Sequence, residues 1–512
     1  MAPHEQVIVV GAGIGGMSCA IDLARAGLTV TVVERSATAG GKMREVAVGP
    51  CCIDAGPTVL TMRWVFDQIF EDAGATLGDH VRLRPLSILA RHAWDGNGRL
   101  DLFADIDRTA EAIGEFAGLA EAAGYRAFCA DARRIFESLR DSFLGAQQTG
   151  PLGLARRMGP AGAGALLRLR AFETLWGVLG ERFRDPRLRQ LFGRYATYCG
   201  SSPFEAPATL MLVAHVEQEG VWLVEGGMQR IADALQSLAQ SLGVVFRFSA
   251  HVETVDVSRG QVAGVTLACG ERLAARDVVV NADPAAIATG AFGPDVAAGA
   301  PAARRARSLS AVTWAMRAQT QGFPLTRHNV FFSDDYRAEF EDIFRGCQLP
   351  RSPTIYVCAQ DRDDSGLGSP GFERLLILVN APAAGDCKPL SEQEISACEA
   401  RVFGRLRRCG LEVTPETGMC VTTTPTAWNA MFPASGGALY GQATHGWRAA
   451  FDRPGARTKT PGLYLAGGGA HPGPGAPMAA LSGRLAASAL TLDRASTPRW
   501  RPVVIPGGMS TR

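Results

Sequence analysis

The chain has 512 residues, of which 47% are hydrophobic, and a formal net charge of +2. That length suits two or three domains rather than one core, and that apolar content excludes global disorder. A near-balanced charge without a basic stripe excludes nucleic acid as the expected partner.

In chain order, Gln6–Val10 is a continuous β-branched run and predicts a buried strand of a parallel sheet. It leads into Gly11-Ala-Gly13-Ile14-Gly15-Gly16, then a helix with Ile14, Met17, Ser18, Ile21 and Ala24 along one face and Gly27 as its stop. Thr29–Val33 predicts the second strand, with Glu34 at its end. Gly11 permits the tight turn, Gly13 lets a pyrophosphate approach the backbone, and Gly16 lets helix and strand pack closely. The helix N-terminus offers free N–H groups to phosphates. Glu34 suits ribose hydroxyls and repels a 2′-phosphate. A glycine-rich turn beside an ordinary surface Glu34 is the bland alternative. Gly40-Gly41-Lys42-Met-Arg44 then adds bare backbone and two cations, suited to a diphosphate or to a solvated basic loop.

From Ile106 to about Val216 the pattern is helical, interrupted at Gly150-Pro151 and Gly159-Pro160. Within it, 152–170 combines Leu152, Leu154, Met158, Leu166, Leu167 and Leu169 with Arg156, Arg157, Arg168 and Arg170. Phe172, Trp176 and Leu179 continue the apolar face. Such a segment suits a membrane interface or an ordinary helix packed on the core. Further on come a helix over 229–242, a strand over 244–248 and a buried strand over 277–280. Ala311–Met316, Thr354–Cys358 and Leu375–Val379 predict strands of a second sheet. Gly462–Leu465 predicts a last strand, running into a glycine-rich loop and a helix starting near Ala476.

The twelve cysteines contain no Cys-x-x-Cys spacing, and Cys51 and Cys52 are adjacent. Free thiols in a reducing compartment are expected, with no metal site and no disulfide framework. Val7–Val10 is too short for a secretory signal. The stretch 461–483 is broken by Gly and Pro and cannot span a membrane, so any membrane contact is expected to be peripheral.

The segment from Glu34 through Arg44, with Asp54-Ala-Gly56-Pro57-Thr58, resembles flavoproteins of the amine oxidase and phytoene desaturase superfamily. There the equivalent of the second loop lies near the isoalloxazine. The run His471-Pro-Gly-Pro-Gly475-Ala-Pro477-Met478-Ala-Ala-Leu-Ser-Gly483 is similar to the C-terminal signature of bacterial carotenoid desaturases. So is Gly200–Phe204 through His215–Trp222. The matches spread over nearly the whole chain, and the Pro477–Gly483 ending resembles the 1-hydroxycarotenoid 3,4-desaturases most.

The resemblance implies an α/β chain with a discontinuous Rossmann-type FAD-binding domain (1–74, 220–285 and 455–495). A mixed-sheet substrate domain (75–105 and 286–454) and a helical, membrane-associated insert (106–219) complete it. FAD is the implied cofactor. Its implied contacts are Gly11, Gly13, Ile14, Gly15, Gly16, Glu34, Gly40, Gly41, Lys42, Arg44, Gly56, Pro57, Thr58, Val252, Gly467, Gly468, Gly475, Pro477 and Met478. The helix end near Ala476 would face the flavin N1–C2=O edge, which gains negative charge on reduction.

The implied reaction removes a hydride and a proton from an acyclic carotenoid to form the C3–C4 double bond, with quinone or oxygen as the final acceptor. The implied location is the bacterial cytoplasm, peripheral on the inner or photosynthetic membrane. His471 is the candidate base, or else a cap of the following helix. His215 and Glu217 read as structural groups, and Tyr195 and Tyr198 as tunnel lining or packing. A multi-step phytoene desaturase, a flavin amine oxidase and a non-catalytic isoprenoid or prenyl-protein binder are the alternatives.

Overall fold

A computed structural model describes residues 6–96, 98–159, 164, 169–300, 306–366 and 371–496. Gln6–Val10 is the middle strand of a five-stranded parallel sheet. The order is Leu463–Leu465, Asp277–Val280, Gln6–Val10, Thr29–Val33, Val245–Arg247. Side chains alternate along a strand, so Val7 and Val9 enter one core while Ile8 and Val10 enter another. The helices Ile14–Arg25, Gln229–Ser241 and Ala476–Ser496 cover the first face. The three-stranded antiparallel sheet Val252–Ser258, Gln261–Leu267, Arg272–Ala274 packs on the other. Strand order reverses at Gln6–Val10. The loops beginning at Gly11, Glu34, Asn281 and Ala466 therefore meet at one edge, where open parallel sheets bind ligands.

A second, seven-stranded sheet runs Leu411–Thr423, Ser310–Gly322, Glu373–Ala381, Ile355–Ala359, His328–Phe331, Ile88–Trp94, Gly98–Phe103. It is antiparallel except where His328–Phe331 pairs in parallel with Ile88–Trp94. The three strands expected from sequence are all present: the first and third are longer than expected, and the middle one is shifted by one residue to Ile355–Ala359. One face packs on the helix Glu392–Arg408, through Cys398, Val402 and Leu406. Ser391 and Glu394 start that helix with a reciprocal capping box. The other face meets the hairpin Glu45–Val48/Cys51–Asp54, whose Val48 and Ile53 pack against Ala315, Cys358 and Leu376.

The helices Ile106–Ala117, Leu119–Leu139, Leu175–Arg182, Pro186–Gly193 and Leu212–Gln218 fill the insert. Phe128, Phe183 and Phe192 pack together at its centre, with centroids 4.8 to 5.8 Å apart. This aromatic knot belongs to the same core as Met17 and Ile21 of the first helix. Along the basic segment, Leu154 and Leu169 are buried while Leu152, Arg156 and Arg157 are exposed. Leu166, Leu167 and Arg168 lie outside the described residues. No described helix is long and apolar enough to cross a membrane.

Candidate active site

Where the parallel strands end, the first glycine loop has no room for side chains. A Cβ on Gly16 would stand 2.1 Å from the Gly11 carbonyl oxygen, and one on Gly15 would stand 2.9 Å from Gly467 Cα. Gly11 itself takes φ +99°, a region that favours glycine. Glu34 is buried, its carboxylate accepting from Ala12 N–H at 2.7 Å and Ser36 N–H at 2.8 Å. It therefore braces the glycine turn, with lone pairs left for ribose hydroxyls. Val252 is buried and follows Ala250, whose N–H donates to the Glu34 carbonyl. The two ends of the expected nucleotide site are thus adjacent.

Gly40 continues the cradle: its N–H donates to the Ala12 carbonyl, and Gly41 lies against Gly13, where a Cβ would be 3.2 Å from Gly13 Cα. The two cations after it serve different partners. Lys42 Nζ donates to the carbonyls of Ala438 (3.1 Å) and Leu439 (2.8 Å), and burial pushes its pKa down to about 8 against the raising effect of Asp283. It ties two loops together rather than standing free for a phosphate, because those carbonyls come from a remote segment that the local pattern does not show. Arg44 lies over the Trp428 ring at 5.6 Å, and its buried Nη1 donates to no protein atom. Gly56 packs on the Lys42 carbonyl, where a Cβ would be 1.9 Å away, and Pro57 follows. Thr58 Oγ1 shares a hydrogen bond of 2.7 Å with Tyr356 OH. Asp54, before this turn, accepts from the Met228 N–H and is buried.

The C-terminal loop closes the cradle around Asn281. Its Nδ2 donates to the Gly11 carbonyl at 3.2 Å, and a Cβ on Gly467 would meet its Oδ1 at 2.4 Å. Gly468 follows, and Gly475 (φ +113°) turns the chain into the helix Ala476–Ser496, with Pro477 and Met478 in its first turn. That helix packs on the first one: a Cβ on Gly483 would strike the Gly15 carbonyl at 2.0 Å.

Arg453 locks the loop from outside, donating to the carbonyls of Tyr440, Gly468 and Gln442. Burial lowers its pKa, although Asp283 and Cys199 oppose this.

His471 is a tether rather than a free base. Carbonyl oxygens only accept, so Nε2 carries the hydrogen and donates to both Phe143 O and Ala146 O at 3.0 Å. The ring stands edge-on to Phe143, Nδ1 is buried without a partner, and burial lowers the pKa. The local motif placed it at the flavin loop, and the contact with the insert 325 residues away redirects it.

A second group of polar side chains is tied to the loops of the cradle through Thr58 and Arg453. Glu217 is buried and accepts from Tyr195 OH (2.9 Å) and Tyr198 OH (2.8 Å), as a structural group would. Arg194 Nη1 donates to Tyr198 OH at 2.9 Å. Tyr356 OH, bonded to Thr58, also bonds His328 Nδ1 at 2.7 Å. Burial holds the pKa of His328 well below its usual value, so the ring is neutral. Burial pushes that of Tyr440 up to about 12. Arg194, Tyr198, Tyr356 and Tyr440 are each half-buried and keep accessible surface, so they border open space within the fold.

The residues fit FAD. Backbone lines a cradle that any Cβ would fill at Gly13, Gly15, Gly16 and Gly467, and Arg44 Nη1 is a buried donor without an acceptor. Asn281, Arg453, Arg194, Tyr356 and Tyr440 escaped the sequence reading. Asn281 had a signal, a polar residue ending a buried apolar strand. The others had none, because their partners are remote in sequence.

The family described as flavin containing amine oxidoreductase matches residues 14–491. The chain is 54% identical to a hydroxyneurosporene desaturase of Rubrivivax gelatinosus, over 99% of this chain and 97% of that one. It is 44% identical to a hydroxyneurosporene desaturase of Cereibacter sphaeroides (96% and 99% covered). A 1-hydroxycarotenoid 3,4-desaturase of a Flavobacterium species is 28% identical (94% and 98% covered). Among solved structures, an oxidoreductase from Methanosarcina mazei superposes with a TM-score of 0.60 at 15% identity, covering 95% of this chain and all of that one. That likeness concerns the fold.

Proposed function

The chain belongs to the flavin-containing amine oxidoreductase family, and we propose that it desaturates the C3–C4 bond of an acyclic 1-hydroxycarotenoid of the hydroxyneurosporene type. The observation that carries this is identity of 54% across 99% of the chain, which takes in the cradle and the polar cluster tied to it. The one-step reading is favoured over a multi-step phytoene desaturase, and the intact glycine cradle speaks against a non-catalytic binder.

Bound in the cradle, FAD supplies the hydride acceptor that no side chain can be. The chain supplies the setting. Glu34 and the glycine turn hold the nucleotide end. The helix Ala476–Ser496 directs a positive end at the loop before it, and enclosed Arg453 fixes that loop's shape. The substrate loses a hydride and a proton from neighbouring carbons, and the conjugated chain spreads the developing positive charge. With His471 Nε2 committed to two carbonyls, no strong base is required of it.

Peripheral membrane binding is part of the proposal. Phe172 is 63% exposed and Trp447 39% exposed, their rings are 5.2 Å apart, and Arg448 lies over the indole. An apolar pair beside an arginine suits a lipid headgroup boundary. A polyene at about 25 cal/mol per Å² of apolar surface requires such a sheltered route. Quinone or oxygen is proposed as final acceptor, since the sequence carries one dinucleotide fingerprint. Cytoplasmic location on the inner or photosynthetic membrane accompanies this reading.

Anaerobic single turnover tests the function. Protein reconstituted with FAD in liposomes should bleach its flavin with 1-hydroxyneurosporene, yielding a product two hydrogens lighter. Bleaching by phytoene with several steps would replace the assignment, and bleaching by neither would sink both. Flotation with anionic liposomes tests the surface: exchange of Phe172 and Trp447 for Ser should weaken it.

A further inference from the structure

Arg194 is an anomaly for a cavity that receives a hydrocarbon. A guanidinium surrounded by protein loses hydration, and such groups are normally paired and fully hydrogen-bonded. Here one nitrogen, Nη1, donates to Tyr198 OH. Neither Nε nor Nη2 donates to a protein atom among the described residues, and neither is sealed off, since the side chain keeps accessible surface. Among the described residues no carboxylate pairs with Arg194 directly: Glu217 accepts the hydroxyl hydrogen of Tyr198. Burial lowers the pKa of Arg194, but Tyr198, Tyr356 and Glu217 outweigh it and keep the side chain charged.

We infer that Arg194, with Tyr198 and Tyr356, is the site that recognises the hydroxyl at the oxygenated end of the polyene. This rests on the desaturase reading above. The hydrogen-bond circuit closes with a neutral hydroxyl. Its oxygen accepts from the free N–H groups of Arg194. Its hydrogen goes to Tyr198 OH, which has already given its own hydrogen to Glu217 and retains a lone pair. An anion would not fit as well, because the Arg194 charge is already balanced through Tyr198 by Glu217. The guanidinium lies 5.5 Å from the centre of the Tyr356 ring, whose hydroxyl is held by Thr58 and His328.

The cluster is also tied to the two loops that the FAD reading sets beside the flavin ring. Tyr356 is bonded to Thr58, of the loop that follows the hairpin. Tyr440, which senses the Arg194 charge, is bound through Arg453 to Gly468 of the C-terminal glycine loop. A hydroxyl anchored at Arg194 fixes C1. A single methylene separates that carbon from C3, so the anchor presents C3–C4 beside these two loops.

The test compares kcat/KM for 1-hydroxyneurosporene and for the analogue without the hydroxyl, on flavin-loaded enzyme in liposomes. Wild type and the variants Arg194→Met, Tyr198→Phe and Tyr356→Phe are measured, each with its flavin content and thermal midpoint. A site built around a substrate hydroxyl rejects the analogue lacking it by about 10⁴-fold. The expected result is a large wild-type preference that falls by at least about tenfold in Tyr198→Phe and collapses towards parity in Arg194→Met. If Arg194→Met does not hold flavin, the two Phe variants, which keep their rings, decide. An unchanged preference in flavin-replete variants overturns the assignment, even if quinone reoxidation slows. Equal use of both substrates by wild type leaves the desaturase standing and removes the hydroxyl site. Turnover of neither removes the desaturase itself.

Discussion

Arg453 and Arg194 are both enclosed by protein and both neighbour Tyr440, yet they direct their N–H groups oppositely. Arg453 gives its donors to the chain: the carbonyls of Tyr440, Gly468 and Gln442. Arg194 gives one donor to Tyr198 and leaves others facing a cavity. The same split separates the walls they belong to. The glycine wall is complete in itself, backbone against backbone, and works by shape. The wall around Arg194 is incomplete without a ligand, and works by hydrogen bonding.

The largest expected effect comes from filling the glycine wall. Gly16→Val places a Cβ within 2.1 Å of the Gly11 carbonyl oxygen. Strand and helix are fixed on either side, so the turn cannot yield. Purified protein should carry no flavin absorbance, and retained flavin would show that the wall is not shape-built. Next is Arg453→Met, which strands buried carbonyls at about 1–3 kcal/mol each. A loss of roughly 3 kcal/mol or more in urea denaturation is expected. A smaller loss than for Arg194→Met would reverse the comparison.

These differences bear on what the chain reveals before folding. The first forty-five residues announce their cradle because strand, glycines, helix, strand and acid are consecutive, and every one of those elements is found. The seven-stranded sheet was visible only as three of its strands. Its last two strands, Ile88–Trp94 and Gly98–Phe103, lie far from the rest in sequence. Lys42 and His471 stand out in the sequence, but their partners in the fold are carbonyls 396 and 325 residues away. Arg194 and Arg453 look like any other arginine until folding encloses them. Local motifs report local geometry, whereas a buried charge is defined by the company that tertiary structure brings to it.

A third test uses pH. Burial first, and the Arg194 charge second, hold His92 down to about 3, against a carbonyl bond from Leu100 that raises it. A depressed histidine contributes stability that is whole above its unfolded value near 6.5 and is lost as pH falls towards 3. Removing Arg194 lets the folded value rise, narrows the gap, and so flattens the acid limb. Urea midpoints between pH 6.5 and 4 should therefore slope less in Arg194→Met than in wild type. Arg453→Met, which does not act on His92, should keep the wild-type slope, and equal slopes in all three would deny Arg194 its reach.

The smallest effect sharpens the comparison most. Tyr195 and Tyr198 each donate to one oxygen of Glu217, at 2.9 and 2.8 Å. Tyr195 is 6% exposed and packs in the core, while Tyr198 keeps accessible surface on the cavity. Removing either hydroxyl deletes one hydrogen bond to the same carboxylate, worth about 1 kcal/mol of stability, and removing that of Tyr198 also deletes the bond it accepts from Arg194. If the cluster is architecture, the two Phe variants should differ in stability alone, Tyr198→Phe losing more, and should leave the substrate preference alike. If its open side holds a substrate hydroxyl, they should part in specificity as well. Tyr195→Phe would then shift the preference for the hydroxylated polyene less than Tyr198→Phe, because only the second phenol oxygen can accept from the ligand.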